Sequence, residues 1–221
     1  MIIAIDGPAA SGKSTTAQGV AQRLGIMYLN TGAMYRAMTL GIVESGLDLE
    51  DIDAVQGFIA DTFIGFGENN QILLNGNNVS AKVHSSAISD KVSAVSAVPD
   101  IRKAMVQVQR EIASKNDCVL EGRDIGTVVF PEAKFKFFLV ADVAVRAARR
   151  MKDLEALGES WSLDELIKDI LRRDELDSTR SHSPLVRADD AILIETSHLT
   201  IDETIEKIVN KITKIKNEET S

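Results

Sequence analysis

The chain holds a single cysteine, Cys118, among 221 residues. No disulfide framework can form within it, which suits a reducing compartment. Cys118 follows Asp117 and opens an apolar stretch, so it reads as a buried thiol rather than a nucleophile. Long apolar runs are missing too. Nothing approaches the roughly 18 residues that a membrane span needs, so no span is expected. The first residues enter a strand pattern at once, which leaves no room for a signal peptide and makes the cytoplasm the expected compartment. Positive charge is in deficit, with 25 Lys and Arg against 33 Asp and Glu and a net charge of −8. That balance argues against a nucleic-acid polymer as partner, though local arginines can still outweigh the global field for a small anion. Histidine is scarce. His84, His182 and His198 stand far apart and match no metal-ligand spacing.

The remaining composition is ordinary for a soluble globular protein, at 44% hydrophobic and 26% charged. The length suggests one domain with insertions and a substantial core.

Against this background one motif stands out. Gly7-Pro8-Ala9-Ala10-Ser11-Gly12-Lys13-Ser14 has the form G-x-x-x-x-G-K-[ST], followed by Thr15. Gly7 and Gly12 permit backbone angles that a Cβ opposes. Successive amides then face one concavity and meet phosphate oxygens. Lys13 supplies a mobile charge for the β and γ phosphates, and the Ser14 hydroxyl is placed to ligate magnesium. Ile2–Asp6 before the loop is a β-branched run suited to a buried strand, and 15–24 after it is helical in composition. Strand, glycine loop and helix in that order put an anion on a helix N-terminus.

Short apolar segments at 2–6, 27–29, 118–121, 136–140 and 191–194 read as strands covered on both faces. Helical patterns lie between them at 15–24, 32–44, 100–114, 143–157, 163–176 and 202–214. This alternation predicts an α/β fold with a parallel sheet. Ser162 with Glu165, and Thr200 with Glu203, form capping boxes, and Pro99 suits the start of the 100–114 helix. Residues 61–83 break the rhythm with short strand-like pieces, the last at Val79, and an Asn75-Gly76 turn. They predict a small antiparallel insertion with helical flanks near 50–60 and 86–98. The charged segment 211–221 is expected to fray.

Nucleotide binding alone does not define a reaction; the arginines do that. Thr31 is a candidate cap for the helix carrying Tyr35 and Arg36, just beyond the second strand. Arg123 and Asp124 follow the third core strand, between glycines. In open α/β sheets ligands bind at such carboxyl edges. Arg173, Asp177 and Arg180, at i, i+4 and i+7, are read as one helix face. That face is either a solvated salt-bridge ladder or part of a lid closing on phosphates. Phosphoryl transfer needs such cations, because charge must be offset and water excluded.

Taken together, Gly7–Thr15, Thr31-Gly32-Ala33-Met34-Tyr35-Arg36, Gly122–Pro131 and Arg173–Arg180 with Ser183-Pro184-Leu185 resemble the bacterial cytidylate kinases. The likeness runs from Ile2 to about Lys211, and the run Gly122–Pro131 is its most specific part. It implies a P-loop kinase fold: a five-stranded parallel core with helices on both faces, a helical lid and a small inserted nucleoside-monophosphate-binding domain. The expected division is a core at 1–35, 100–150 and 188–215, a monophosphate region at 36–99 and a lid at 151–187. The resemblance implies γ-phosphoryl transfer from ATP to CMP or dCMP with magnesium, by a monomer. By the same likeness Ser93, Arg102 and Asp124 contact cytosine, with Thr31 and Tyr35 also beside the CMP. Arg36, Arg123 and Arg173 hold phosphate, Asp177 meets the sugar, and Arg180 is a lid arginine near the transferring group. Asn30 stands where the family often has an acid. A kinase for another small acceptor, and a nucleotide-dependent switch without transfer activity, remain open on the residues alone.

Overall fold

The computed structural model describes residues 1–219. Its strands are β1 (Ile2–Asp6), β2 (Met27–Asn30), β3 (Ile64–Phe66), β4 (Ile72–Leu74), β5 (Asn77–Asn78), β6 (Cys118–Gly122), β7 (Phe135–Val140) and β8 (Ile192–Glu195). Its α-helices are α1 (Lys13–Leu24), α2 (Thr31–Ser45), α3 (Ile52–Ala60), α4 (Ser86–Ala97), α5 (Pro99–Ala113), α6 (Val143–Ala156), α7 (Leu163–Thr179) and α8 (Ile201–Glu219). By packing, these divide into two compact units. The first comprises 1–29, 115–179 and the described residues from 183 on; the second comprises 30–114 and 180–182.

The first unit carries the expected parallel sheet, five strands in the order β2-β6-β1-β7-β8. β1 lies centrally, parallel to β6 on one side and β7 on the other, with Asp6 level with Gly122 and Phe138. Chain leaving β1 and chain leaving β6 therefore emerge side by side. Ile3, Ile5, Val119, Phe137 and Leu139 are buried and join Ile205, Ile208 and Ile212 of α8 in one apolar cluster. Ala147, Leu154, Leu166 and Ile170 form a smaller cluster between α6 and α7.

Local signals set the helix ends. α1 closes on Gly25, where the Ile26 amide reaches back to Ala21 O at 3.0 Å. The boxes at Ser162 and Glu165, and at Thr200 and Glu203, form as read, with the serine and threonine backbone amides bonded to the glutamates at 2.9 and 2.8 Å. Pro99 opens α5. Three expectations need correction. Asn30, not Thr31, caps α2: its side chain accepts from Ala33 N at 2.9 Å, while Thr31 is already helical. Arg180 is not on the face of Arg173 and Asp177, because α7 stops at Thr179. Ser183 turns into the left-handed region (φ 52) before Pro184, which cannot continue a helix. Fraying does not begin at Lys211, because α8 runs to Glu219 and packs Ile212 and Ile215 into the core; the rest of that expectation, at 220–221, lies outside the described residues.

The second unit holds a three-stranded antiparallel sheet, β3-β4-β5, packed on α2. Asn75 and Gly76 take positive φ of 50° and 79°, the signature of a tight hairpin turn. Val79 falls just past β5, and its amide still bonds to Ile72 O at 3.0 Å. Met34, Met38, Ile64, Val83, Val92 and Ile101 centre this unit's core.

Candidate active site

The glycine loop follows β1 directly. Gly7 approaches β7 so closely that an added Cβ would stand 2.2 Å from Leu139 O, and Gly12 enters α1 at φ 87°. Both positions demand glycine. The loop's carbonyls are committed elsewhere. Pro8 O accepts from Lys13 Nζ at 2.6 Å, and Ala9 O from Arg146 Nη1 at 3.0 Å. Ser11 O accepts from Thr196 Oγ1 at 3.4 Å and Arg149 Nη1 at 3.5 Å, and Gly12 O from Thr16 N at 3.0 Å. A loop bonded this way offers an anion its amides.

Lys13 is buried, at 5% exposure. Burial pushes its ammonium down to about 7, Arg123 adds to the effect, and Glu121, Asp6 and Asp174 oppose it. Asp6, at the end of β1, accepts from Ile125 N at 2.9 Å and Gly126 N at 2.7 Å. Burial nonetheless pushes its carboxyl up to about 6. Those two amides open a single π-turn, Ile125–Val129, so Asp6 fixes where the chain goes after Arg123 and Asp124. Ser14 Oγ donates to Glu121 Oε1 at 2.8 Å, with Tyr28 Oη at 3.5 Å. A hydroxyl beside a carboxylate, at the mouth of an anion loop, is the hard-oxygen set that magnesium takes.

Arg123 donates through Nε to Asp177 Oδ2 at 2.8 Å. Burial works against its charge, but Asp177 more than compensates and the guanidinium is held charged. Arg173 is also buried, at 7% exposure. Burial first, then the charge of Arg123, makes its cationic form less favourable. Its Nε has no hydrogen-bond partner among the described residues. The solvated ladder read as one possibility for Arg173 and Asp177 is therefore excluded, because both are buried. Lys13, Arg123, Arg173 and Asp177 come together in the first unit. Asp124 lies there too, 4% exposed, its carbonyl accepting from Val128 N at 2.9 Å and Val129 N at 3.1 Å.

The second unit collects others. Arg36 Nη1 donates to Ser89 Oγ at 2.7 Å and Val83 O at 3.3 Å. Arg102, 4% exposed, donates to Ser96 O at 3.0 Å and lies 5.4 Å over the Tyr35 ring. Ser96 Oγ reaches Ser93 O at 3.0 Å, so Tyr35, Ser93 and Arg102 surround the end of α4. Thr31 is buried at the start of α2, and Arg180 belongs to this unit, past the end of α7.

A family model described as cytidylate kinase matches residues 3–214. The chain belongs to the cytidylate kinase family. Among its relatives, the cytidylate kinase of Clostridioides difficile (strain 630) is 45% identical over 212 residues, covering 96% of this chain and 98% of that one. The cytidylate kinase of Carboxydothermus hydrogenoformans is 45% identical over 215 residues, covering 96% and 97%. The crystal structure of an uncharacterized protein from Eubacterium ventriosum ATCC 27560 superposes with a TM-score of 0.54 at 15% identity, covering 97% of this chain and 98% of that one, and shares the fold.

Several residues around the glycine loop escape a reading of the sequence. Asp6 ends β1 and Glu121 stands next to last in β6, and a carboxylate in that place was the available signal. Arg146, Asp174 and Thr196 lie among ordinary helical or loop residues, and only the fold brings them to the glycine loop.

Proposed function

We propose that the protein transfers the γ-phosphoryl group of ATP to CMP or dCMP, giving ADP and CDP or dCDP. The observation that carries this reading is the gathering of buried cations beside the glycine loop. Lys13 and Arg173 are buried, part-buried Arg123 disfavours the charge on both while it is paired with Asp177, and Arg173 Nε is unmatched among the described residues. Concentrating positive charge out of water costs free energy unless an anion completes the set. A polyphosphate supplies it. Such a reaction asks the protein for placement and charge compensation rather than covalent chemistry, and kinases of this kind turn over at roughly 1–100 per second.

The roles divide accordingly. Gly7 through Thr15 cradle the ATP phosphates, with Lys13 on the β and γ groups. Ser14 and Glu121 would hold magnesium, which neutralises phosphate charge when bound. Arg123 and Arg173 bind the phosphoryl being transferred or the acceptor's phosphate, and Arg36 the acceptor's phosphate. Asp177, fixed by Arg123, receives a sugar hydroxyl, and Arg180 approaches the transferring group. Thr31 and Tyr35 line the CMP site. Asp124 accepts from the cytosine amine, while Arg102 and Ser93 donate to its ring acceptors. The acceptor phosphate is already ionised at neutral pH, so no general base is needed. In domain terms, 36–99 binds the monophosphate, 151–187 forms the lid, and the remainder is the core. The enzyme acts as a monomer in the cytoplasm, on small nucleotides rather than polymers.

The test is ADP formation across CMP, UMP, AMP and GMP in ribose and deoxyribose forms. CMP or dCMP should exceed the others by at least tenfold; equal rates with CMP, UMP and AMP overturn the assignment. Uracil places an acceptor opposite Asp124 where cytosine has a donor, and such mismatches are strongly rejected. Asp124→Ala should therefore lower the CMP rate more than the UMP rate. A preference left intact would show that another group reads the base.

A further inference from the structure

The outer limb of the glycine loop is held from outside by the α6–α7 pair. Ala9 is gripped at both ends of its polar backbone. Its amide donates to Asp174 Oδ1 at 2.9 Å, and its carbonyl accepts from Arg146 Nη1 at 3.0 Å. The same Nη1 reaches Asp174 Oδ2 at 2.5 Å, and Arg146 Nε is tied to Ala141 O at 3.1 Å. Arg146 is 6% exposed, so its charge is spent on these partners rather than on solvent. The next residue, Ala10, takes a left-handed φ of 56°, a conformation that a Cβ disfavours. Its methyl packs against the apolar cluster of α6 and α7. A disfavoured backbone persists only where its surroundings over-determine it. Here those surroundings are one ion pair and one apolar cluster.

We propose that Arg146 and Asp174 are positioning residues for nucleotide binding, which brace Ala9 and so hold the glycine loop in its phosphate-accepting shape. This inference rests on the phosphate-loop part of the functional reading and not on the identity of the acceptor. A different role for Asp174 predicts the opposite sign: a carboxylate that merely occupies a phosphate position would compete with ATP, and neutralising it would tighten binding. The Arg146 contact favours the brace, because it offsets the carboxylate's charge locally.

ATP affinity of Asp174→Asn, Arg146→Lys and the double variant, measured calorimetrically without acceptor, decides the matter. Each single variant is expected to weaken ATP binding about tenfold, with the KM for CMP held within about twofold. The double variant should lose little more than the worse single, because both act through one peptide unit. Ala10→Gly removes the Cβ penalty, so Asp174→Asn should cost less affinity in that background. Asp174→Asn is isosteric and its side chain is 17% exposed, so it serves alone if the buried Arg146→Lys fails to fold. Unchanged ATP affinity in folded Asp174→Asn overturns the brace, and so does tighter binding. Should the wild type ignore CMP, the acceptor assignment falls, while the ATP measurement still judges Arg146 and Asp174.

Discussion

Lys13 is held in a contradiction that only a ligand resolves. Its Nζ folds back on Pro8 O at 2.6 Å and Ser11 Oγ at 3.3 Å, while burial pushes the group down to about 7 from 10.5. Above that value the free protein holds the amine largely neutral. A bound polyphosphate favours the ammonium, so ATP binding near pH 8.5 should draw up about one proton. Calorimetry in two buffers of different ionisation heat measures this directly. Lys13→Arg stays charged throughout that range and should bind, at whatever affinity, with no uptake. Equal heats for the wild type in both buffers would show that Lys13 is already protonated. At this scale the sequence discloses what is local. The loop, its lysine and its serine are contiguous and carry their chemistry in their spacing. Asp174 and Arg146 are not legible, because they stand 165 and 137 positions from Ala9 and resemble any helical ion pair until the chain folds.

Among the elements, α1 and α8 meet at Gly19. A Cβ there would stand 2.2 Å from Ile205 Cδ1 and 3.0 Å from its Cγ1. Alanine gains roughly 1 kcal/mol of helix propensity over glycine, but overpacking a core typically costs about 1–3 kcal/mol. The second effect wins, so Gly19→Ala should lower the urea midpoint. Ile205→Val removes the clashing atom and should recover stability in the Gly19→Ala background. Gly57 in α3 serves as control, because a methyl added there would meet nothing within 4 Å, so Gly57→Ala should stabilise by up to about 1 kcal/mol. A stabilised Gly19→Ala would mean that Ile205 moves aside freely. Helix starts were legible for a related reason: Ser162 with Glu165 and Thr200 with Glu203 complete their caps within four residues. The end of α7 and the length of α8 were not. One depends on the turn at Ser183 ahead of Pro184, and the other on Ile212 and Ile215 finding a distant core.

For the molecule as a whole, function and stability oppose one another at Asp6. The residue is 5% exposed, and its carboxyl is pushed up by burial to about 6 from 3.8. Between those values the folded state holds a proton that the unfolded chain has released. Stability from this group is therefore complete below pH 4 and is lost as pH rises through 6, the reverse of the usual carboxylate. The shift corresponds to roughly 3 kcal/mol, taking about 1.4 kcal/mol for each pH unit. At neutral pH the chain thus keeps a buried carboxylate at a cost, because that carboxylate accepts both the Ile125 and Gly126 amides and fixes the turn beyond Arg123 and Asp124. Asp6→Asn abolishes the titration but turns an N–H toward one of those amides, which adds a penalty of about 1–3 kcal/mol at every pH. Urea unfolding from pH 4 to pH 7 separates the two effects. The stability advantage of wild type over Asp6→Asn should be largest near pH 4 and shrink steadily up to pH 6, then stay level. A difference independent of pH over this range would show that burial does not raise the Asp6 carboxyl in the folded protein, its two amide bonds or solvent outweighing it.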